Sequence, residues 1–169
     1  KIKNLGVPLR KWDVNINRGI LTGLNDAFII DDDIKSEIVL KDPDCNKLLF
    51  KILRGKDIKR YDASWKGKWL INTHNGYKID NLVISAIDVD KYPYIKQHLD
   101  LYYDKLAKRY DKGHTPYNLR NCAFLPDLSK KKIVWKALGT IPEFTIVEEN
   151  LVINDKGNFL VTDDEVNLK

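Results

Sequence analysis

The sequence predicts an α+β fold: a single mixed domain of short strands packed with one long amphipathic helix and shorter helices. Three observations carry this. From Pro93 to Tyr110, Ile95, Leu99, Tyr102 and Leu106 step by four, three and four, which is the apolar stripe of a helix, with Lys96, Asp100, Asp104 and Lys108 opposite. Trp12, Val14 and Ile16 alternate with Asp13, Asn15 and Asn17, the period of a half-buried strand running to Ile20. Ile133-Val134-Trp135, Phe144 to Val147, Leu151 to Ile153 and Phe159 to Val161 are short β-prone runs with turns between them.

Taken in order, Arg18-Gly19 opens a turn-rich passage through Thr22-Gly23-Leu24-Asn25. Its two glycines suit a backbone that bends tightly or approaches a ligand closely. Ala27 to Ile30 reads as a short buried strand. Asp31-Asp32-Asp33 supplies an N-cap and favourable dipole charge for a helix through about Leu40. Pro43-Asp44 opens a second short helix, Cys45 to Phe50. Trp69-Leu70-Ile71 is a strand, and His74 to Tyr77 the loop after it. Pro93 sits in the first turn of the long helix, where a missing N–H costs nothing, and Gly113 ends it. Asp155-Lys156-Gly157-Asn158 is a hairpin turn between the last two strands, and Asp163-Asp164-Glu165 follows them.

A chain of 169 residues, 43% hydrophobic and 31% charged, is globular and sized for one core. No apolar run approaches the roughly 18 residues of a membrane span, and no signal peptide opens the chain. Methionine is absent and the first residue is Lys1, so a piece of a longer polypeptide is expected. Cys45 and Cys122 are isolated, which suits a reduced cytoplasmic setting, and three scattered histidines do not make a metal site.

The net charge of +5 is unevenly spread. Asp26 to Asp44 and Glu143 to Glu165 are acidic, while Lys51 to Lys68 and Lys105 to Arg120 are basic. The stretch Lys51 to Gly76 interleaves seven cations with Tyr61, Trp65 and Trp69 and closes in Asn72-Thr73-His74-Asn75-Gly76. Cations meet phosphates, and Asn, His and Arg reach base edges, so this pattern points to a nucleic-acid surface. Arg54, Lys56, Lys59 and Arg60 are the expected phosphate or base-edge ligands, and Thr22, Asn25, His74, Asn75 and Arg120 the expected base readers. If the two basic stretches share a face, they form one positive trough. Trp65, Trp69 and Trp135 are expected in the core, and His98 in solvent.

Two other readings use different residues. Asp44, Asp57 and Lys59 fit the loose spacing of a Mg²⁺-dependent PD-(D/E)xK nuclease. The acidic segments would suit a protein-interaction module. No Gly-rich cofactor loop and no nucleophilic triad can be read, and Thr115-Pro116-Tyr117 lacks the amide and second proline of a base-holding methyltransferase motif. The chain itself is expected to catalyse nothing.

Several ordered strings carry a resemblance. They are Arg18-Gly19-Ile20 with Thr22 to Asp31, Ile52 to Tyr61, Leu70 to Gly76, Tyr92-Pro93 to Leu99, Arg109, Tyr117 to Ala123, and Lys132 to Trp135. Together, from about Val7 to Phe159, they resemble the TaqI-like C-terminal specificity domain. This is the target recognition domain of bacterial type IIG restriction–modification enzymes and related adenine-specific DNA methyltransferases. The resemblance implies a domain that reads a short DNA sequence for a methyltransferase, and often a nuclease, on the same polypeptide. It adds Arg18 to the DNA-binding candidates. S-adenosylmethionine, and Mg²⁺ where the parent also cuts DNA, would be held by those other domains.

Overall fold

A computed structural model describes residues 14–148 and 150–161 together with Gly6, Pro8, Lys11 and Trp12. Asp13, Glu149, Asp163, Asp164 and Glu165, which figured in the strand and charge patterns above, lie outside the described residues. The fold is α+β, built from two four-stranded sheets, two small hairpins, one of them β4 (Ile58–Lys59) with β5 (Asp62–Ala63), and short helices.

The first sheet is wholly antiparallel, in the order β1 (Asn15–Arg18), β12 (Gly157–Val161), β9 (Lys132–Lys136), β10 (Phe144–Val147). Phe159 and Val134 pair across its centre and are fully buried, and they share a face with Thr145. The second sheet runs β11 (Leu151–Ile153), β3 (Leu49–Leu53), β6 (Lys68–Ile71), β2 (Ile29–Asp31), with β11 parallel to β3. Ile52, Leu53, Leu70 and Ile71 give it the nearly continuous apolar run of strands buried on both faces.

Asp31 caps helix α2 (Asp32–Lys41) by accepting from the Ile34 amide at 3.1 Å, as its run of three aspartates implies. The long helix is instead two, α3 (Pro93–Asp100) and α4 (Tyr103–Lys108), and ends well before Gly113. The amides of Leu101 and Tyr102 bond three residues back, and Tyr102 (φ −114°, ψ 9°) leaves the helical region. The apolar stripe survives the break, since Ile95, Leu99 and Leu106 are all fully buried.

Four further expectations change. Ala27-Phe28 belongs to a single helical turn, α1 (Asn25–Phe28), whose Ala27 and Phe28 amides bond Leu24 O. The strand begins only at Ile29. Short apolar runs do not distinguish the two states. The helix after Pro43 is a tight 3₁₀ segment ending at Leu48, and Phe50 lies in β3. A hairpin of β7 (Tyr77–Ile79) and β8 (Leu82–Ile84), turning at Asp80 with φ 50°, was not foreseen.

The turn at Asn154–Gly157 forms, with Gly157 N–H donating to Asn154 O at 3.0 Å, but it is no hairpin. It passes the chain from the second sheet to the first. Asn154 anchors this crossing: its side-chain Oδ1 accepts from the Gly55 amide at 3.0 Å while its backbone N–H donates to Leu53 O at 3.0 Å, holding β11 along β3. A Cβ on Gly55 would stand 2.3 Å from Lys156 O, so only glycine permits this approach. Gly55→Ala should therefore cost about 1–3 kcal/mol, read as a lower urea midpoint at unchanged m.

Candidate nucleic-acid interface

Arg109 is the hub of one end of the molecule. It follows α4, is 9% exposed, and lies with its guanidinium 4.7 Å from the Phe28 ring centroid. Nη1 donates to Thr22 O and to Asp111 O at 3.0 Å. Nη2 donates to Pro116 O at 3.0 Å and Asn118 O at 2.6 Å. Burial brings its pKa down to about 10, which leaves it charged at neutral pH. One buried cation thus ties the 20–25 passage to the 109–121 loop.

Asn118 and Thr73 extend the tie to the loop after β6. Asn118 Nδ2 donates to Ile87 O at 2.8 Å, Thr73 Oγ1 donates to Tyr117 O at 2.6 Å, and the Leu119 amide donates to Thr73 O at 2.9 Å. Asn75 Oδ1 accepts from the His114 amide at 2.7 Å while its Nδ2 donates to Asn121 Oδ1. Three loops far apart in sequence therefore present one polar surface. It carries the exposed residues Asn25, His114, Arg120 and Asn121 and the half-buried His74 and Asn75.

The expected base readers are brought together here, but they are not equally free. Thr22 is 1% exposed and its hydroxyl donates to Asn25 Oδ1 at 2.6 Å, leaving the Asn25 amide to solvent. Arg120 pairs with Asp111 at 2.9 Å and keeps half its side chain exposed. His74 Nδ1 accepts from the Gly76 amide at 3.2 Å, so the neutral ring carries its proton on Nε2, and burial holds its pKa down. Gly23 lies at φ +71° against Arg109, and Gly19 packs on the Asn154 backbone, so both serve the fold's own close approaches.

The other candidates lie at the opposite end of the second sheet. β3 and β6 are antiparallel, with Leu49 level with Ile71, so Arg54 leaves where β6 begins and Asn72 leaves where β3 begins. The two ends are ~14 Å apart at 3.4 Å per residue. Around Asn154–Lys156 gather Arg18, which donates from Nε to Asp155 O at 2.9 Å and pairs with the Asp155 carboxylate, and Arg54, which forks onto Asp57 at 2.7 and 3.2 Å. Burial pushes the Asp57 carboxyl up, and Arg54 more than offsets it, for a net lowering. Lys56, Lys59 and Arg60 are exposed beside them, with the Tyr61 amide donating to Phe144 O at 3.0 Å. The structure thus divides the candidate cations into two clusters, each tied to its own loops.

Trp65 and Trp69 are half-buried, with rings edge to face at 5.1 Å. Lys51 and Lys35 lie over them at 4.9 and 4.8 Å, so those charges are directed to ring faces. His98, expected in solvent, bonds Ala27 O through Nε2 at 3.0 Å and is held neutral by burial. Burial pushes the thiols of Cys45 and Cys122 up to about 12 and about 11, which leaves neither a nucleophile at neutral pH.

Asp44 and Asp57 flank β3 at opposite ends, and Asp57 is occupied by Arg54, so the nuclease constellation does not assemble. Among the described residues no group of three or more His, Cys, Asp or Glu side chains could hold a metal ion, and no helix is long and apolar enough to cross a membrane.

No protein-family model matches the sequence, and no curated protein matches it. The fold does match solved structures. One is the Type IIL restriction–modification enzyme MmeI in complex with DNA, aligned at a TM-score of 0.63 and 10% identity over 89% of this chain. The chain spans 19% of that enzyme's length.

Arg109→Met should remove at least about 3 kcal/mol of stability, since four carbonyls lose a charged donor. Hydrogen exchange should quicken at the amides of Gly113, Asn118 and Leu119. Folded His98 has a depressed pKa, so the unfolded chain takes up the proton first. Stability should fall as pH drops below about 6.5, and His98→Gln should flatten that fall in pH-resolved urea melts.

Proposed function

We propose that this chain is the target recognition domain of a restriction–modification enzyme, reading a short double-stranded DNA sequence for an adenine methyltransferase on the same polypeptide. The observation that carries the proposal is the shared fold, over 89% of the chain, with part of a restriction–modification enzyme solved with DNA. The polar surface assembled by Arg109 supplies what such a role needs. Asn25 Nδ2, His74 Nε2 and the exposed amide of Asn121 are short donors on a rigid frame, and Arg120 is a longer one. Short side chains held by second bonds read base edges with little loss of rotamer freedom.

Lys56, Lys59 and Arg60 anchor phosphates in this reading. The two clusters flank β3 and β6 at opposite ends, and this reading requires one duplex to span both. Arg18 and Arg54 act instead by shaping the loops, being spent on Asp155 and Asp57. The parent protein would supply the S-adenosylmethionine site, and a Mg²⁺ site if it also cuts DNA, in its cytoplasmic bacterial setting.

The test is binding to duplex DNA bearing the sequence found by mapping methylated adenines in the source strain with and without the parent gene. Lys59→Ala with Arg60→Ala should lower affinity for all sequences and reduce the salt slope by about one per phosphate contact. His74→Ala and Asn121→Ala should relax discrimination at single positions and leave the slope unchanged. Wild-type affinity and discrimination in all four variants would overturn the proposal.

A further inference from the structure

The first sheet has a second apolar face. Strand register aligns Ile16, Leu160, Ile133 and Ile146 in one row across all four strands, on the side opposite Phe159 and Val134. The next row holds Trp135 and Phe144, with ring centroids 5.6 Å apart, beside Asn158 and Arg18. Leu160, at the centre of the row, is buried yet stands outside the main core. Ile16, Phe144 and Ile146 are 52%, 45% and 43% exposed. An antiparallel sheet with one buried face ordinarily turns polar residues outward, and a contiguous apolar outer face marks an interface.

We propose that this face docks against an apolar surface of another domain of the same polypeptide. The inference rests on the reading of the chain as one domain of a larger enzyme. Two observations name the occupant. β1 and β12 pair antiparallel with Asn15 opposite Val161, so the chain enters β1 and leaves β12 at the same end of this sheet, one residue from the row. In MmeI, the matched fold is 19% of the chain, so most of that enzyme lies outside it.

The charge on the face points the same way. Its arginine is spent on Asp155, and Lys131 and Lys136 pair with Glu148 and Glu143, while the exposed Lys59 and Arg60 lie past the β10 edge, where the Tyr61 amide donates to Phe144 O. The apolar rows themselves carry no unpaired cation, so they and the polar surface organised by Arg109 suit different partners.

The experiment is thiol labelling at Ile16→Cys and Ile146→Cys, made separately at opposite edges of the sheet. Each is measured with a maleimide in the full-length polypeptide and in the 169-residue chain, with added glutathione as the competing reference thiol. Labelling at both positions should slow by about tenfold or more in the full-length protein relative to glutathione, because thiol reactivity follows access. Equal rates in the two proteins would overturn the proposal. So would protection that appears in the 169-residue chain and grows with its concentration, which would assign the face to a second copy. Duplex binding by the same unlabelled 169-residue variants is measured in parallel. Its absence counts against the recognition reading alone, while the labelling ratio decides the face.

Discussion

A single buried guanidinium holds one end of this molecule together. Arg109 donates to carbonyls at positions 22, 111, 116 and 118 and lies over Phe28. Backbone carbonyls drawn into the interior are costly unless bonded, and an ion is costly unless surrounded by dipoles. Here each need meets the other. Arginine suits the position because its planar fork reaches several acceptors at once, which a lysine ammonium on a flexible stem does not. Loops without regular structure are thereby fixed as firmly as strands.

The polar groups around this hub are mostly committed to one another. Asn75, Thr22 and Asn118 each bond within the loops, and what faces outward is the remaining hydrogen-bonding capacity of Asn25, His74 and Asn121. Such a surface offers donors at fixed positions. The second cluster is of a different kind: Arg18 and Arg54 are locked in ion pairs while Lys56, Lys59 and Arg60 extend into solvent. Fixed polar groups suit discrimination, and loosely held cations suit anchoring to a uniformly charged backbone.

Much of the architecture was legible because it follows local chemistry. The Asp31 cap, the stripe of Ile95, Leu99 and Leu106, and the runs at 132–136 and 144–147 each carry their own signal. The break at Tyr102 has none, since neither proline nor glycine marks it. The path of residues 151–161 was illegible for a different reason. Asp155-Lys156-Gly157-Asn158 looks like a hairpin turn, but β11 pairs with β3. Asn154 is bonded through side chain and backbone to Gly55 and Leu53, about a hundred residues earlier, so the flanking strands go to different sheets. At the site, composition singled out Arg54 and Arg120 as cations but could not show that Asp57 and Asp111 already hold them. Arg109 stood in the ordered strings without a role, because its four acceptors are backbone atoms, which leave no trace in residue types.

The pairing of β1 with β12, and of β11 with β3, bears on how the chain is made. One sheet joins its first strand to its last, and the other has its edge strand, residues 151–153, beside residues 51–53. Neither can close while a ribosome still holds the final stretch. Until then Ile52, Leu53 and their neighbours wait without a finished cover, and the long-range closures come at the end, the slow step for contacts so distant in sequence. Nascent chains of this protein should therefore depend on chaperones most in the interval just before residues 151–161 emerge.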